Sequence, residues 1–204
     1  LMNILFSFFF LLFSIFPTMA FAMSPMAPVR IDPKEIESEI GANGYFVVDR
    51  TSGEVLTMKQ EDRVWPIASL TKLMTASVVL DHEVALNQIV SLKNSDDVGG
   101  AKLWVNDGDR MSVGDLFYAT LVASANNAAN ALARTTGLSK SEFVEEMNAR
   151  TKDWQLTQTH FVDSSGIEVG NVSTPREMAQ LAQKVFSHER IQKITTTATK
   201  FIRV

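Results

Sequence analysis

The spacing of apolar residues changes repeatedly between Tyr45 and Ile202, and each change marks an element. Tyr45–Val48 is apolar and rich in β-formers, Asp49–Gly53 reads as a turn, and Glu54–Met58 alternates again, which predicts a hairpin. Beyond Ser69, apolar Leu70, Leu73, Met74, Val78 and Leu80 recur at helical spacing, predicting a helix to about Leu80. Ile89–Leu92 predicts a short strand, Val98–Gly100 a loop and Asn106–Asp109 a turn. Ser112, with Asp115 after it, caps a helix through Leu116, Phe117, Leu121 and Val122. Ser124–Asn127 interrupts, and Ala128–Thr136 resumes helix until Gly137. Ser139 and Glu142 form a capping box for a helix to about Trp154. Thr159–Asp163 predicts a short extended piece and Ser164–Asn171 a loop. Thr174, Pro175 and Glu177 combine a cap, a first-position proline and a capping carboxylate for a helix to about Phe186. Glu189–Ile194 predicts a turn of helix, and β-branched Thr195–Ile202 a strand.

The N-terminus differs from the rest. Residues 1–22 carry no Asp, Glu, Lys or Arg. Ile4–Phe16 is apolar apart from Ser7 and Ser14, and Ala20-Phe21-Ala22 has the form of a cleavage site. This reads as a secretory signal peptide, although no basic residue precedes the apolar run. An uncleaved anchor is the alternative, for which the run is short. Residues 23–43, with Pro25, Pro28 and Pro33, read as a linker in which Pro33–Ile40 predicts a short helix.

Composition narrows the function. All charges lie in residues 23–204, whose net charge is -4, and this balance argues against a nucleic-acid partner. The chain has no cysteine, so an exported form has no disulfide and depends on packing. His82, His160 and His188 are scattered without metal-ligand spacing, so no metal is expected. Asp81-His82-Glu83 is read as a solvated helix end, not an acid–base pair.

Chemistry concentrates in Trp65–Ala76. Ser69 and Lys72 form the only S-x-x-K in the chain. Pro66 fixes its own φ and holds Val64–Trp65 extended, so Ser69 falls at or beside a helix N-terminus. Free amides and the local dipole there suit a developing oxyanion. Lys72 lies one turn on, on the same face, where its amine reaches the Ser69 hydroxyl. A lysine base must be neutral. With an unperturbed pKa of ~10.4 it is neutral about once in 2,500 molecules at pH 7, and closing that gap requires ~4.6 kcal/mol. Burial and a helix N-terminus both act in that direction. The same four residues also fit a serine N-cap followed by an exposed lysine.

Ser124-Ala125-Asn126, the only S-x-N, falls between two predicted helices. Ser124 can relay a proton between an amine and a leaving nitrogen, and Asn126 offers a donor and an acceptor to a peptide backbone. A polar interhelical loop with Ser124 as cap is the alternative.

Taken together, Ser69-x-x-Lys72 and Ser124-x-Asn126 resemble the serine β-lactamase and penicillin-binding group. The stretches G-Y-F-V-V-D-R-T-S-G-E-V-L, A-S-L-T-K-L-M-T-A, V-A-S-A-N-N-A-A and H-F-V-D-S-S-G-I…N-V-S-T-P-R-E-M-A resemble the low-molecular-mass D-alanyl-D-alanine carboxypeptidases over roughly Gly44–Phe186. The resemblance implies an α/β (α+β) transpeptidase-like fold, an antiparallel sheet with a helical subdomain, over residues 44–204. It implies Ser69 as the nucleophile towards the carbonyl between two terminal D-alanines of a peptidoglycan stem peptide. Lys72 would be its base, Ser124 the proton relay, Asn126 the holder of the substrate amide and the Ser69 N–H half of an oxyanion hole. No metal or organic cofactor is implied. β-Lactams would acylate the same serine, in an exported, periplasmic or cell-wall-side protein engaged in wall remodelling.

The family's third motif, Lys-Thr-Gly on a core strand, is missing. Arg134-Thr135-Thr136-Gly137 ends a predicted helix and comes too early. The expectation is a C-terminally truncated sequence lacking the rest of the sheet, the second oxyanion N–H and the carboxylate clamp. Alone it is expected to fold poorly or lack activity, and peripheral membrane association through a C-terminus beyond Val204 stays open. The alternatives are a D,D-endopeptidase acting on cross-links, a serine β-lactamase, and an inactive peptidoglycan- or β-lactam-binding module. Class A β-lactamases usually carry Ser-Asp-Asn in the second motif, against Ser-Ala-Asn here.

Overall fold

The computed structural model describes residues 40–204. The expected leader and nearly all of the linker, with its Pro33–Ile40 helix, lie outside the described residues; Ile40 itself is irregular. In chain order the elements are β1 (Tyr45–Val48), β2 (Val55–Lys59), β3 (Trp65–Pro66), a 3-10 turn (Ala68–Leu70), α1 (Thr71–Asp81), β4 (Ile89–Ser91), a second 3-10 turn (Asn94–Asp96), β5 (Arg110–Ser112), α2 (Val113–Leu121), α3 (Asn126–Arg134), α4 (Lys140–Asp153), β6 (Val172–Ser173), α5 (Pro175–Val185) and α6 (Glu189–Thr195).

The strands form three separate antiparallel pairs, β1–β2, β3–β6 and β4–β5. The first is the predicted hairpin, in register from Tyr45 opposite Lys59 to Val48 opposite Val55, with a bulge at Val47/Val48. Its turn closes because the Asp49 Oδ1 accepts from the Ser52 N–H at 2.7 Å and from the Thr51 N–H at 3.0 Å. The β3–β6 pair is short, but it ties Trp65 to Ser173 and Pro66 to Val172, directly ahead of the S-x-x-K segment.

Helix α1 is the centre of the molecule. Met74, Ala76 and Val78 are fully buried, and α2, α3, α4 and α5 all pack on it. A helix with apolar or buried residues on nearly every side is a core helix, not a surface one. That placement carries Lys72, on its first turn, into the interior. The surrounding helices start where local side chains supply caps. The Ser112 hydroxyl accepts from the Asp115 N–H, Ser139 from the Glu142 N–H and Thr174 from the Glu177 N–H. Each such cap stabilises its helix by about 1 kcal/mol.

Three points of the sequence reading are sharpened or corrected. First, Ser69 does lie beside a helix N-terminus, as expected: α1 begins at Thr71, and Ser69 sits in the preceding 3-10 turn, directly after Ala68 with a left-handed φ of 45°. Second, Thr195–Ile202 is not a strand: α6 runs to Thr195 and the chain beyond is irregular. Ile191 and Ile194 are buried one helical turn apart, and the Thr195, Thr196 and Thr197 hydroxyls donate back to carbonyls of Ile191, Gln192 and Lys193. Burial and these local bonds override β propensity. Third, α3 begins at Asn126, with Ala125 as a cap residue lacking a side-chain bond, so Ser124 caps nothing. The Asp81–Glu83 end of α1 is paired to α4, with His82 Nε2 2.9 Å from Glu146 and Arg150 Nη1 2.8 Å from Asp81.

Candidate active site

The site is assembled by three segments distant in sequence: the turn before α1, the start of α3 and the loop 163–171. Lys72 lies where they meet, only 2 % exposed. Its Nζ is 3.1 Å from the Ser69 Oγ, 2.7 Å from the Asn126 Oδ1 and 2.6 Å from the Ser165 carbonyl oxygen. Burial lowers the Lys72 ammonium from 10.5 to about 8, against the opposing pull of the Asp163 carboxylate. Roughly one molecule in ten then has a neutral amine at pH 7.

The partners of that amine define its direction. The Asn126 Oδ1 and Ser165 carbonyl can only accept. A neutral amine has two N–H bonds and one lone pair. With both N–H bonds directed to those oxygens, the lone pair is left facing the Ser69 hydroxyl, the one partner able to donate.

Ser69 itself is exposed. The Leu70 N–H donates to the Ile67 carbonyl at 3.1 Å, whereas among the described residues the Ser69 N–H has no backbone acceptor. The turn is gripped from the far loop. The Ile67 N–H donates to the Asn171 carbonyl at 2.9 Å. At Gly166, with φ 84°, an added Cβ would collide with the Ala68 carbonyl oxygen, so only glycine permits this approach. Ala68 and Ser124, with φ 56°, are left-handed non-glycine residues flanking the site, each at a cost of order 1–3 kcal/mol.

Helix α3 presents Asn126, Asn130 and Arg134 at four-residue intervals, a polar stripe along one side of the helix. Asn126 donates through its Nδ2 to the Gly99 carbonyl at 2.9 Å, and its own N–H donates to the Ala101 carbonyl at 2.7 Å. Gly100 adopts φ 69°, and a Cβ there would meet the Asn126 Nδ2 at 2.7 Å. Asn130 accepts from the Ser164 hydroxyl at 2.7 Å, and Arg134 pairs with buried Asp96 at 2.8 Å.

Ser69, Lys72 and Ser124 line a cleft of about 570 Å³ together with Tyr45, Leu73 and Thr120. The Tyr45 hydroxyl and the Thr120 Oγ1 are buried without a hydrogen-bond partner, and Ser124 makes no side-chain hydrogen bond among the described residues. A larger hollow, about 820 Å³, lies behind the 163–168 loop and contains neither Ser69 nor Ser124. The structure therefore brings all four expected site residues together, with Asn126 turned to Lys72 and the Gly99 loop.

Sequence reasoning missed the loop that completes the site. The sequence pattern marks Asp163 and Ser165 only as part of an extended piece and a loop, although D-S-S-G has the pattern of an Asx turn. No cluster of three or more potential metal ligands occurs among the described residues. No helix among them is long and apolar enough to cross a membrane.

Comparison with known proteins bears on these features. The family model described as D-alanyl-D-alanine carboxypeptidase matches residues 31–204. A D-alanyl-D-alanine endopeptidase of Pseudomonas aeruginosa is 31% identical over 169 residues, covering 82% of this chain and 54% of its own length. The D-alanyl-D-alanine carboxypeptidase DacF of Bacillus subtilis is 30% identical over 193 residues, covering 91% of this chain and 49% of its own. Among solved structures, penicillin-binding protein D2 of Listeria monocytogenes in its cefotaxime-bound form superposes with a TM-score of 0.69 at 34% identity, covering 76% of this chain and 66% of that one. The chain spans about half the length of the curated relatives it matches. With the matched model extending over all but the first 30 residues, the chain belongs to the D-alanyl-D-alanine carboxypeptidase family.

Proposed function

We propose that the full-length gene product is a serine-type D-Ala-D-Ala carboxypeptidase acting on peptidoglycan stem peptides outside the cytoplasm. The observation that carries this reading is the Lys72 amine, buried and lowered to about 8, with only the Ser69 hydroxyl able to donate to it. The Ser69 Oγ attacks the carbonyl carbon between the terminal D-alanines. As that C–O bond forms, the serine proton passes to the Lys72 Nζ and the carbonyl π pair moves onto oxygen, beside the free Ser69 N–H. Collapse breaks the C–N bond. The leaving D-alanine nitrogen takes a proton through Ser124, whose hydroxyl is unpaired and shares the cleft. Water then attacks the acyl-enzyme, its proton following the same path, and Ser69 is regenerated. Asn126 holds Lys72 and directs its remaining amide hydrogen to the substrate. A β-lactam enters the first half of the sequence and leaves Ser69 acylated, and the relative solved with cefotaxime supports this.

A second reading, a D,D-endopeptidase that cuts cross-links, is favoured by relatives of that name at 31% and 32% identity. The chemistry is the same and only the leaving group differs. The test is a pair of substrates given to the full-length protein. A carboxypeptidase releases D-alanine from a free pentapeptide, whereas an endopeptidase splits a cross-linked dimer and leaves the pentapeptide intact. Turnover of neither by folded protein overturns both readings.

A further inference from the structure

We propose that Asp163 is a positioning residue for acylation, an insulated counter-charge that shapes the 163–171 loop around Lys72 and balances the ammonium formed when Lys72 takes the Ser69 proton. The inference rests on the reading of Ser69 as nucleophile and Lys72 as base.

The geometry of the carboxylate carries it. Its Oδ1 accepts from the Ser165 N–H at 2.6 Å, the Ser165 hydroxyl at 2.8 Å and the Gly166 N–H at 2.6 Å. Its Oδ2 accepts from the Glu168 N–H at 2.8 Å and the Asn171 Nδ2 at 2.7 Å. Asn171 is fully buried, and its Oδ1 accepts in turn from the Val162 N–H at 3.0 Å. One side chain thus gathers five donors of the loop. The folding has two consequences at the reacting atoms: the Ser165 carbonyl meets the Lys72 Nζ, and Gly166 seats against Ala68, one residue before Ser69.

The arrangement also resolves an electrostatic conflict. A carboxylate in direct contact with Lys72 would hold it charged and disable it as a base. A site with no negative charge would oppose the ammonium that the reaction must form. Here the lysine touches neutral carbonyls, while the carboxylate stands behind one of them with its lone pairs occupied. Burial would raise the Asp163 carboxyl, but bonds from Glu168, Ser165 and Gly166 outweigh it and keep it ionised. The other side chains bonded to Lys72, Ser69 and Asn126, are neutral, as are Thr75 and Asn130, which bond the adjacent Ser164. Arg134 is taken up by Asp96, and the Glu168 and His160 side chains are exposed.

The test is the pH dependence of acylation of the full-length protein by a fluorescent penicillin, for wild type, Asp163→Asn and Asp163→Glu, with a thermal melt of each. In Asp163→Asn the inflection is expected to fall by about one pH unit, since the charge that raises Lys72 is gone. Its plateau is expected to drop roughly threefold to tenfold, because a weaker base accepts the proton less well. Initial penicillin binding should not change. Asp163→Glu, which keeps the charge, should return the inflection towards wild type. A folded Asp163→Asn with the wild-type inflection overturns the proposal. Should that variant fail to fold, Ser165→Ala decides. It keeps the carbonyl on Lys72 but removes one donor from Asp163, so the inflection should move to higher pH and the rate at pH 7 should fall. A rate and inflection identical to wild type in Ser165→Ala overturn the proposal equally. A wild-type protein that takes no label overturns the assignment of Ser69 and Lys72 itself, a distinct result.

Discussion

The back wall of the cleft and its mouth are built in opposite ways. At the back, Lys72, Asn126, Ser165 and Asp163 are buried or half-buried, and apart from the Lys72 contact to Ser69 their hydrogen bonds go to partners within the wall itself. At the mouth, Ser69 is exposed, Ser124 has no side-chain partner, and the Tyr45 and Thr120 hydroxyls are buried and unpaired. In the proposed reaction, the group that changes protonation is the one held rigidly, and the groups that would meet a substrate are left free. Preorganisation is thus concentrated on the proposed base, where reorganisation would raise the barrier directly. Variants at the back should therefore disturb both rate and stability, and variants at the mouth rate alone.

The largest effect is expected of Lys72→Ala. Loss of the proposed base should slow acylation by about a hundredfold to ten-thousandfold, read as penicillin labelling with time. Next is Gly166→Ala, whose Cβ would strike the Ala68 carbonyl at a strained φ. It should lower stability by about 2 kcal/mol or more, seen as a melting temperature reduced by roughly 5 °C. Asn126→Asp places a negative charge against Lys72. Acylation at pH 7 should fall about tenfold and recover at alkaline pH, a shift that Asn126→Ala would not share. The unaltered protein gives a smaller signal. Its Lys72 stands at about 8 when folded and 10.5 when unfolded, so the unfolded state binds more protons between those values. Acylation should rise through pH 8 to a plateau, and the part of stability due to Lys72 should grow from pH 8 to 10.5 and stay flat below 8. Denaturant melts across that range check the sign. The smallest change belongs to the mouth: Ser124→Ala should leave stability within about 0.5 kcal/mol of wild type while its effect falls on turnover.

What the sequence disclosed was local. The caps at Ser112, Ser139 and Thr174 involve partners three residues away, so their chemistry is written consecutively and each predicted helix formed. The same holds for the Tyr45–Lys59 hairpin and for the one-turn spacing of Ser69 and Lys72. Where the outcome depended on distant contacts, the reading failed or was silent. Thr195–Ile202 has β composition, but the buried Ile191 and Ile194 draw its first residue into α6. The β5 strand, Arg110–Ser112, was unforeseen because three residues show no period of their own and owe their form to Ile89–Ser91. The Ser165 contact to Lys72 is made by a backbone carbonyl 93 residues away, and a carbonyl leaves no mark in a sequence. The left-handed Ala68, against which Gly166 packs closely, likewise reflects no preference of alanine.

The central claim is that Ser69 is the acyl-accepting nucleophile. It is tested most directly by mass spectrometry of the full-length protein after exposure to penicillin. The account predicts a single penicilloyl adduct on the peptide containing Ser69, absent from a folded Ser69→Ala variant. A folded wild-type protein without an adduct, or an adduct that persists in Ser69→Ala, would contradict it.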